Sequence, residues 1–110
     1  MPRASDSLHD ALPLLALKIL ARRGPLHGYA ITRQIEAISG ERLRPEEGSL
    51  YPALHRLEEA GWVSAQWVVT GNKRRARVYA ITAAGERQLR ATEARWRRAS
   101  AAILQVLQRA

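Results

Sequence analysis

A chain of 110 residues without cysteine excludes disulfide staples, thiolate nucleophiles and cysteine-based zinc sites, and it leaves His9, His27 and His55 as nitrogen ligands, so neither a structural metal nor a cofactor is expected. With 46% hydrophobic and 25% charged residues it reads as one ordinary globular chain able to bury a core, not as a disordered one. The formal net charge of +8, with arginine supplying 16 of the 18 basic residues, is a strong field for a polyanion, nucleic acid first, although charges that merely solvate a surface would give the same total.

The segment Met1 to Ser7 lacks the apolar centre of a signal peptide. The longest apolar stretch, Leu12 to Leu20, is broken by Lys18 and too short for a bilayer, so a cytoplasmic chain with no membrane segment is expected. Leu8, Leu12, Leu15 and Ile19 recur at helical spacing. With Asp10 as a cap and Pro13 acceptable only in a first turn, the spacing predicts a first helix over roughly 11–23, stopped by Gly24 and Pro25. A second helix, Gly28 to Ser39, carries Ile31, Ile35 and Ile38 on one face and ends at Gly40, which suits a left-handed cap. The polar connector Glu41 to Pro45 is expected to add a residue or two of strand pairing.

A third helix follows Glu46, with Leu50, Leu54 and Leu57 as its core face and Gly61 at its cap. Trp62 to Val69 and Arg74 to Ile81 are rich in β-branched and aromatic residues around the turn Thr70 to Lys73, which predicts a hairpin. Thr82 caps a last helix from Ala83 to about Gln108. There Leu89, Trp96 and Ile103 fall at heptad spacing, with Thr92, Ala99 and Val106 between them and Leu107 beside them. Three helices followed by a hairpin is the order of a winged helix. The expected fold is therefore mainly α with a small β-hairpin wing: a winged helix-turn-helix DNA-binding domain over 8–82 and a C-terminal dimerisation helix over 83–110, whose apolar seam needs a second copy to cover it.

The face of the third helix turned from the core carries Gly48, Ser49, Tyr51, Pro52, His55 and Arg56. A major groove about 12 Å wide admits one helix, and these side chains suit it. Hydroxyls donate to phosphates, arginine forks onto guanine O6 and N7, and histidine does either. An ordinary polar surface is the alternative, but Gly48 and Pro52 are poor helix formers on a solvent face unless something must approach closely or a first turn must be rigid. In the hairpin, Lys73, Arg74, Arg75 and Arg77 occur with no acid among them; such a wing lies along phosphates or enters a narrow minor groove, unless its charge only guards a strand edge. His27, Gly28 and Tyr29 open the second helix. Its free N–H groups suit a phosphate, with Tyr29 adding its hydroxyl, or else His27 caps the turn and Tyr29 packs on the third helix; the residues leave both readings open.

Three stretches, His27 to Tyr29, Glu47 to Gly61 and Arg74 to Gly85, closely resemble the PadR-type transcriptional regulators, and the run Gly48-Ser-Leu-Tyr-Pro-Ala-Leu54 is highly specific to them. The resemblance extends from about Leu12 to Leu107. It implies a dimeric winged helix protein of the compact subgroup with a single C-terminal helix, which represses a nearby promoter by binding double-stranded operator DNA and is released by a small molecule or a stress signal. Two departures stand out. Val78 precedes Tyr79 where the family often has a second aromatic, and Glu46 and Glu47 stand before the recognition helix, where carboxylates suit a helix amino terminus but repel phosphate. In some compact relatives an aromatic residue on the last helix lines a cavity at the dimer interface, and Trp96 is similarly placed, which implies a small apolar or aromatic effector; filling the heptad seam is the other role open to it.

Against a regulator stands a winged helix protein-interaction module, which would carry an apolar outer face on the third helix where this one is polar. Catalysis fails on inventory: there is no cysteine, the two aspartates are Asp6 and Asp10 near the amino terminus, and no Gly-rich phosphate loop is present.

Overall fold

The computed structural model describes the backbone of residues 4–110 and the side chains of 10–110 other than Glu47. The start of the Met1 to Ser7 segment, read above for a signal peptide, lies outside the described residues. In chain order the elements are α1 (Ala4–Arg23), β1 (Leu26–His27), α2 (Gly28–Ile38), α3 (Glu47–Glu59), β2 (Val63–Val69), β3 (Arg75–Ile81) and α4 (Ala83–Arg109). The strands form one antiparallel sheet in the order β1-β3-β2, so the fold is a winged helix-turn-helix followed by a long helix.

Helix α1 begins well before residue 11, so Asp10 lies inside it and caps nothing, and Pro13 is an interior residue. A proline there removes the bond to the carbonyl of residue 9 and costs roughly 3 kcal/mol. The helix persists because Leu12, Ala16, Leu17, Ile19 and Leu20 are all buried around that point. Gly24, at φ +83°, ends it with an N–H bond to the Leu20 carbonyl.

The extra strand pairing comes from before α2, not after it. Leu26 and His27 pair with Tyr79 and Val78 of β3. The connector expected to pair is occupied with closing α2: Gly40 N–H bonds the Ala37 carbonyl, Glu41 N–H bonds Glu36, and the Ser39 hydroxyl accepts from Leu43 N–H. Gly40 is left-handed as expected, at φ +64°. The same arrangement closes α3, where Gly61 N–H bonds the Glu58 carbonyl and Trp62 N–H bonds Leu57.

Leu12, Leu17 and Leu20 meet Ile31 and Ile35, the α3 face Leu50, Leu54 and Leu57, and Val63 and Tyr79 of the sheet in one core. Ile38, expected on the core face of α2, is instead 64% exposed, because α2 ends there and turns away. Thr82 caps α4 as expected, accepting from Gly85 N–H at 3.0 Å while donating to the Gly61 carbonyl at 2.7 Å. A Cβ at Gly85 would stand 2.0 Å from the Trp62 carbonyl oxygen, so only glycine lets α4 start this close to the α3–β2 corner. Beyond that corner α4 runs about 40 Å and is exposed over its outer half.

Candidate nucleic-acid interface

The sheet register builds one side of the interface. Val63 faces Ile81, Ala65 faces Tyr79, Trp67 faces Arg77 and Val69 faces Arg75 across β2 and β3, and paired residues point to the same side. The face that buries Val63 and Tyr79 near the helices therefore continues outward as Trp67, Val69, Arg75 and Arg77. The turn is tied by Thr70 N–H to the Arg74 carbonyl and by Lys73 N–H to the Thr70 carbonyl, with Lys73 left-handed at φ +58°.

Helix α3 builds the other side. Gly48, Tyr51, Pro52, His55 and Arg56 are exposed and Ser49 is half-buried. Pro52 is not in the first turn, where it would cost nothing; it stands in the second, and removes the donor that the Gly48 carbonyl would normally accept from. With open space where a Gly48 side chain would be, this stretch of α3 offers bare backbone to an approaching partner. His55 is engaged by Glu59 one turn on, whereas Arg56 has no ion-pair partner among the described residues. Glu46, the N-cap, makes no side-chain cap bond.

Between these sides lies the start of α2. His27 caps it, its Nδ1 accepting from Ala30 N–H at 3.2 Å. Tyr29 is 57% exposed, stacked on His27 with 6.5 Å between ring centroids and covered by the Arg33 guanidinium at 5.9 Å. Tyr51 of α3 packs on the start of α2, its Cε1 2.8 Å from where a Cβ at Gly28 would stand. Glycine at position 28 thus seats the α3 tyrosine against α2.

The basic residues of the wing divide into two kinds. Lys73, Arg74 and Arg75 are exposed. Arg77 is half-buried and donates to Glu58 of α3 at 2.6 Å, while its Nε is buried without an acceptor. Tyr79 closes this cluster: burial pushes its hydroxyl above the ordinary value of 10.0, opposed by Arg77 and reinforced by Glu58 and Tyr51. Trp67, absent from the residues singled out by sequence, is 57% exposed with Arg75 and Arg77 guanidinium carbons 5.1 and 5.6 Å from its ring centroid. Its phase with Val63 and Ala65 along the strand was the signal that could have found it. Together His27, Gly28, Tyr51, Trp67, Arg75 and Arg77 line an open cleft of about 390 Å³.

On α4, Leu89 is 6% exposed within the single chain, so it is a core residue and not part of a surface seam. Its neighbour by one turn, Thr92, is half-buried and accepts from Gln88 and Arg95. Trp96 is 42% exposed, and Ala99, Ile103, Val106 and Leu107 are exposed, as is Leu104. Open concavities of about 440 and 430 Å³ flank Trp96. Lys18 of α1 bonds Glu93 at 2.8 Å, and this hydrogen bond holds the Glu93 carboxyl below its ordinary value. Among the described residues no cluster of three metal-ligating side chains occurs, and no helix is long and apolar enough to cross a membrane.

Comparison with known proteins gives a consistent result. The model of the Transcriptional regulator PadR-like family matches residues 16–91. The negative transcriptional regulator PadR of Bacillus subtilis is 29% identical over 70 residues, an alignment covering 64% of this chain and 38% of that protein. A transcriptional regulator of Mycobacterium tuberculosis is 46% identical over 65 residues, covering 58% of this chain and 56% of its own length. Alignments to the matched curated relatives span between 17% and 56% of those proteins. Among solved structures, a transcriptional regulator from Clostridium thermocellum superposes with a TM-score of 0.83 at 26% identity, covering 92% of this chain and 97% of that one. Bacillus subtilis PadR in complex with operator DNA superposes with a TM-score of 0.66 at 28% identity, covering 73% and 45% respectively.

Proposed function

The chain belongs to the PadR-like family of transcriptional regulators, which are non-enzymatic DNA-binding proteins, and from that membership we propose that it is a cytoplasmic, dimeric repressor of a nearby promoter. One observation carries the reading: Tyr51 of α3 and the wing arginines Arg75 and Arg77 line one cleft with the start of α2, while the apolar outer half of α4 stands apart from it. In this reading Arg56 and His55 reach base edges in the major groove; Ser49 and Tyr51 take phosphates, with Gly48 and Pro52 allowing the close approach. Lys73, Arg74 and Arg75 follow the backbone beside α3, with Arg77 behind them, and Tyr29 touches a phosphate at the start of α2. The functional division is 8–82 for DNA and 83–110 for dimerisation. The seam is Thr92, Trp96, Ala99, Ile103, Val106 and Leu107, since an exposed apolar strip of this length is what a second copy of the helix covers.

Release by a small apolar or aromatic effector at Trp96 is part of the proposal, supported by the indole standing between two concavities. The test is an anisotropy titration of the protein against duplex DNA from upstream of its own gene, with scrambled duplex alongside, over a salt series. Binding about a thousandfold tighter to the native fragment, weakening steeply with salt, is expected. Equal weak binding to both would refute a specific regulator of that promoter and favour a protein partner.

A further inference from the structure

The inner face of the hairpin carries an arrangement that phosphate contact by loose basic side chains does not require. An indole 57% exposed lies against two guanidinium groups, whose carbons are 5.1 Å (Arg75) and 5.6 Å (Arg77) from its ring centroid. One of these, Arg77, is also held by Glu58 of α3 at 2.6 Å, so its charge is already met inside the protein. The other, Arg75, is exposed at the mouth of the cleft shared with His27 and Tyr51. Arg77 is thus a strut from α3 to the wing, Trp67 leans on the strut, and Arg75 leans on Trp67.

We propose that Trp67 is a positioning residue for DNA binding: with the Glu58–Arg77 pair it fixes the wing against α3 and presents Arg75, already ordered, to a backbone phosphate. The inference rests on the DNA-binding reading above and adds a residue to it. A free arginine loses much side-chain freedom when it grips a phosphate, and stacking on a rigid ring removes most of that loss in advance. Stacking leaves the edge of the guanidinium, where its N–H donors lie, open to an anion. Glu58 sits where simple charge counting would call it unfavourable, a carboxylate beside a surface meant for phosphates, and its bond to Arg77 gives it a reason to be there.

The experiment measures affinity for a short mixed-sequence duplex by anisotropy, across a salt series, with thermal unfolding of each variant in parallel. Trp67→Ala is expected to bind about fivefold more weakly with the same salt slope as wild type, because the same phosphates are still neutralised. Trp67→Phe, which keeps a ring, should recover most of the loss. Arg75→Ala should weaken binding and lower the slope by about one, and adding Trp67→Ala to it should cost little more. Glu58→Gln gives the sharpest contrast. Loss of a negative charge alone predicts tighter binding, whereas a slackened strut predicts binding about twofold weaker.

Tighter binding by Glu58→Gln overturns the proposal, and so does Trp67→Ala binding as well as wild type. A Trp67→Ala loss that is undiminished in the Arg75→Ala background overturns it too, since the indole would then touch DNA itself. A wild-type protein showing no salt-dependent duplex binding overturns the DNA-binding reading and this inference with it.

Discussion

A methyl group added at Gly28 meets the ring of Tyr51 first. The added Cβ would lie 2.8 Å from Cε1 and 3.0 Å from both Cζ and the hydroxyl oxygen, so the ring must swing aside. Tyr51 is half exposed and has solvent to swing into. Moving it off its seat costs about 0.5–1.5 kcal/mol, while alanine in place of glycine at a helical position returns up to about 1 kcal/mol. These nearly cancel, and Gly28→Ala should unfold within about 1 kcal/mol of wild type, a few degrees in Tm at most. Binding should respond differently, because a displaced hydroxyl would lose the phosphate hydrogen bond proposed for Tyr51. That loss is about 1 kcal/mol, or roughly fivefold in Kd for the promoter duplex. Circular dichroism melts and anisotropy titrations on one preparation measure both quantities. Unchanged Tm with unchanged Kd would refute the seat as a functional feature. A loss of several kcal/mol in stability would show instead that the ring cannot move and that the glycine is a packing requirement.

The same methyl at Gly85 meets the Trp62 carbonyl at 2.0 Å, where backbone cannot swing aside, so Gly85→Ala should destabilise by about 3 kcal/mol or more in urea unfolding. Arg56→Ala is expected to lose about 1–3 kcal/mol on the promoter duplex and little on random DNA; equal losses on both would mean that Arg56 touches phosphate alone. Trp96→Asp places a charge in the exposed apolar strip of α4; wild type is expected to sediment as a dimer and this variant as a monomer. Glu93 has a folded pKa lowered first by its hydrogen bond from Lys18, so its contribution is complete above the unfolded value, near 4.5, and is lost as pH falls through the folded one. Denaturant midpoints of wild type and Glu93→Gln should therefore differ at neutral pH and converge in acid; a constant gap would show that the ion pair is not its source.

What sequence alone determined about this chain is whatever local periodicity and end chemistry decide. Leu50, Leu54 and Leu57 on one face of α3, Gly40 and Gly61 as left-handed caps, Thr82 at the start of α4 and the turn from Thr70 to Lys73 all follow from rules spanning a few residues. The wing's basic residues and the polar face of α3 were legible for the same reason, since side-chain direction in a helix or hairpin is set by its own period.

Only the tertiary structure decided the features that depend on residues far apart in the chain. Leu26 and His27 became a strand because β3 has an edge to offer them, and α1 ran through Pro13 because the core holds that helix from one side. Leu89, read as seam, was claimed by the chain's own core, since heptad spacing reports an apolar stripe and says nothing of which neighbour covers it. Trp67 and Glu58 entered the site through their shared contact with Arg77. That contact joins a helix to a strand 19 residues later, a distance at which packing, not pattern, chooses the partners.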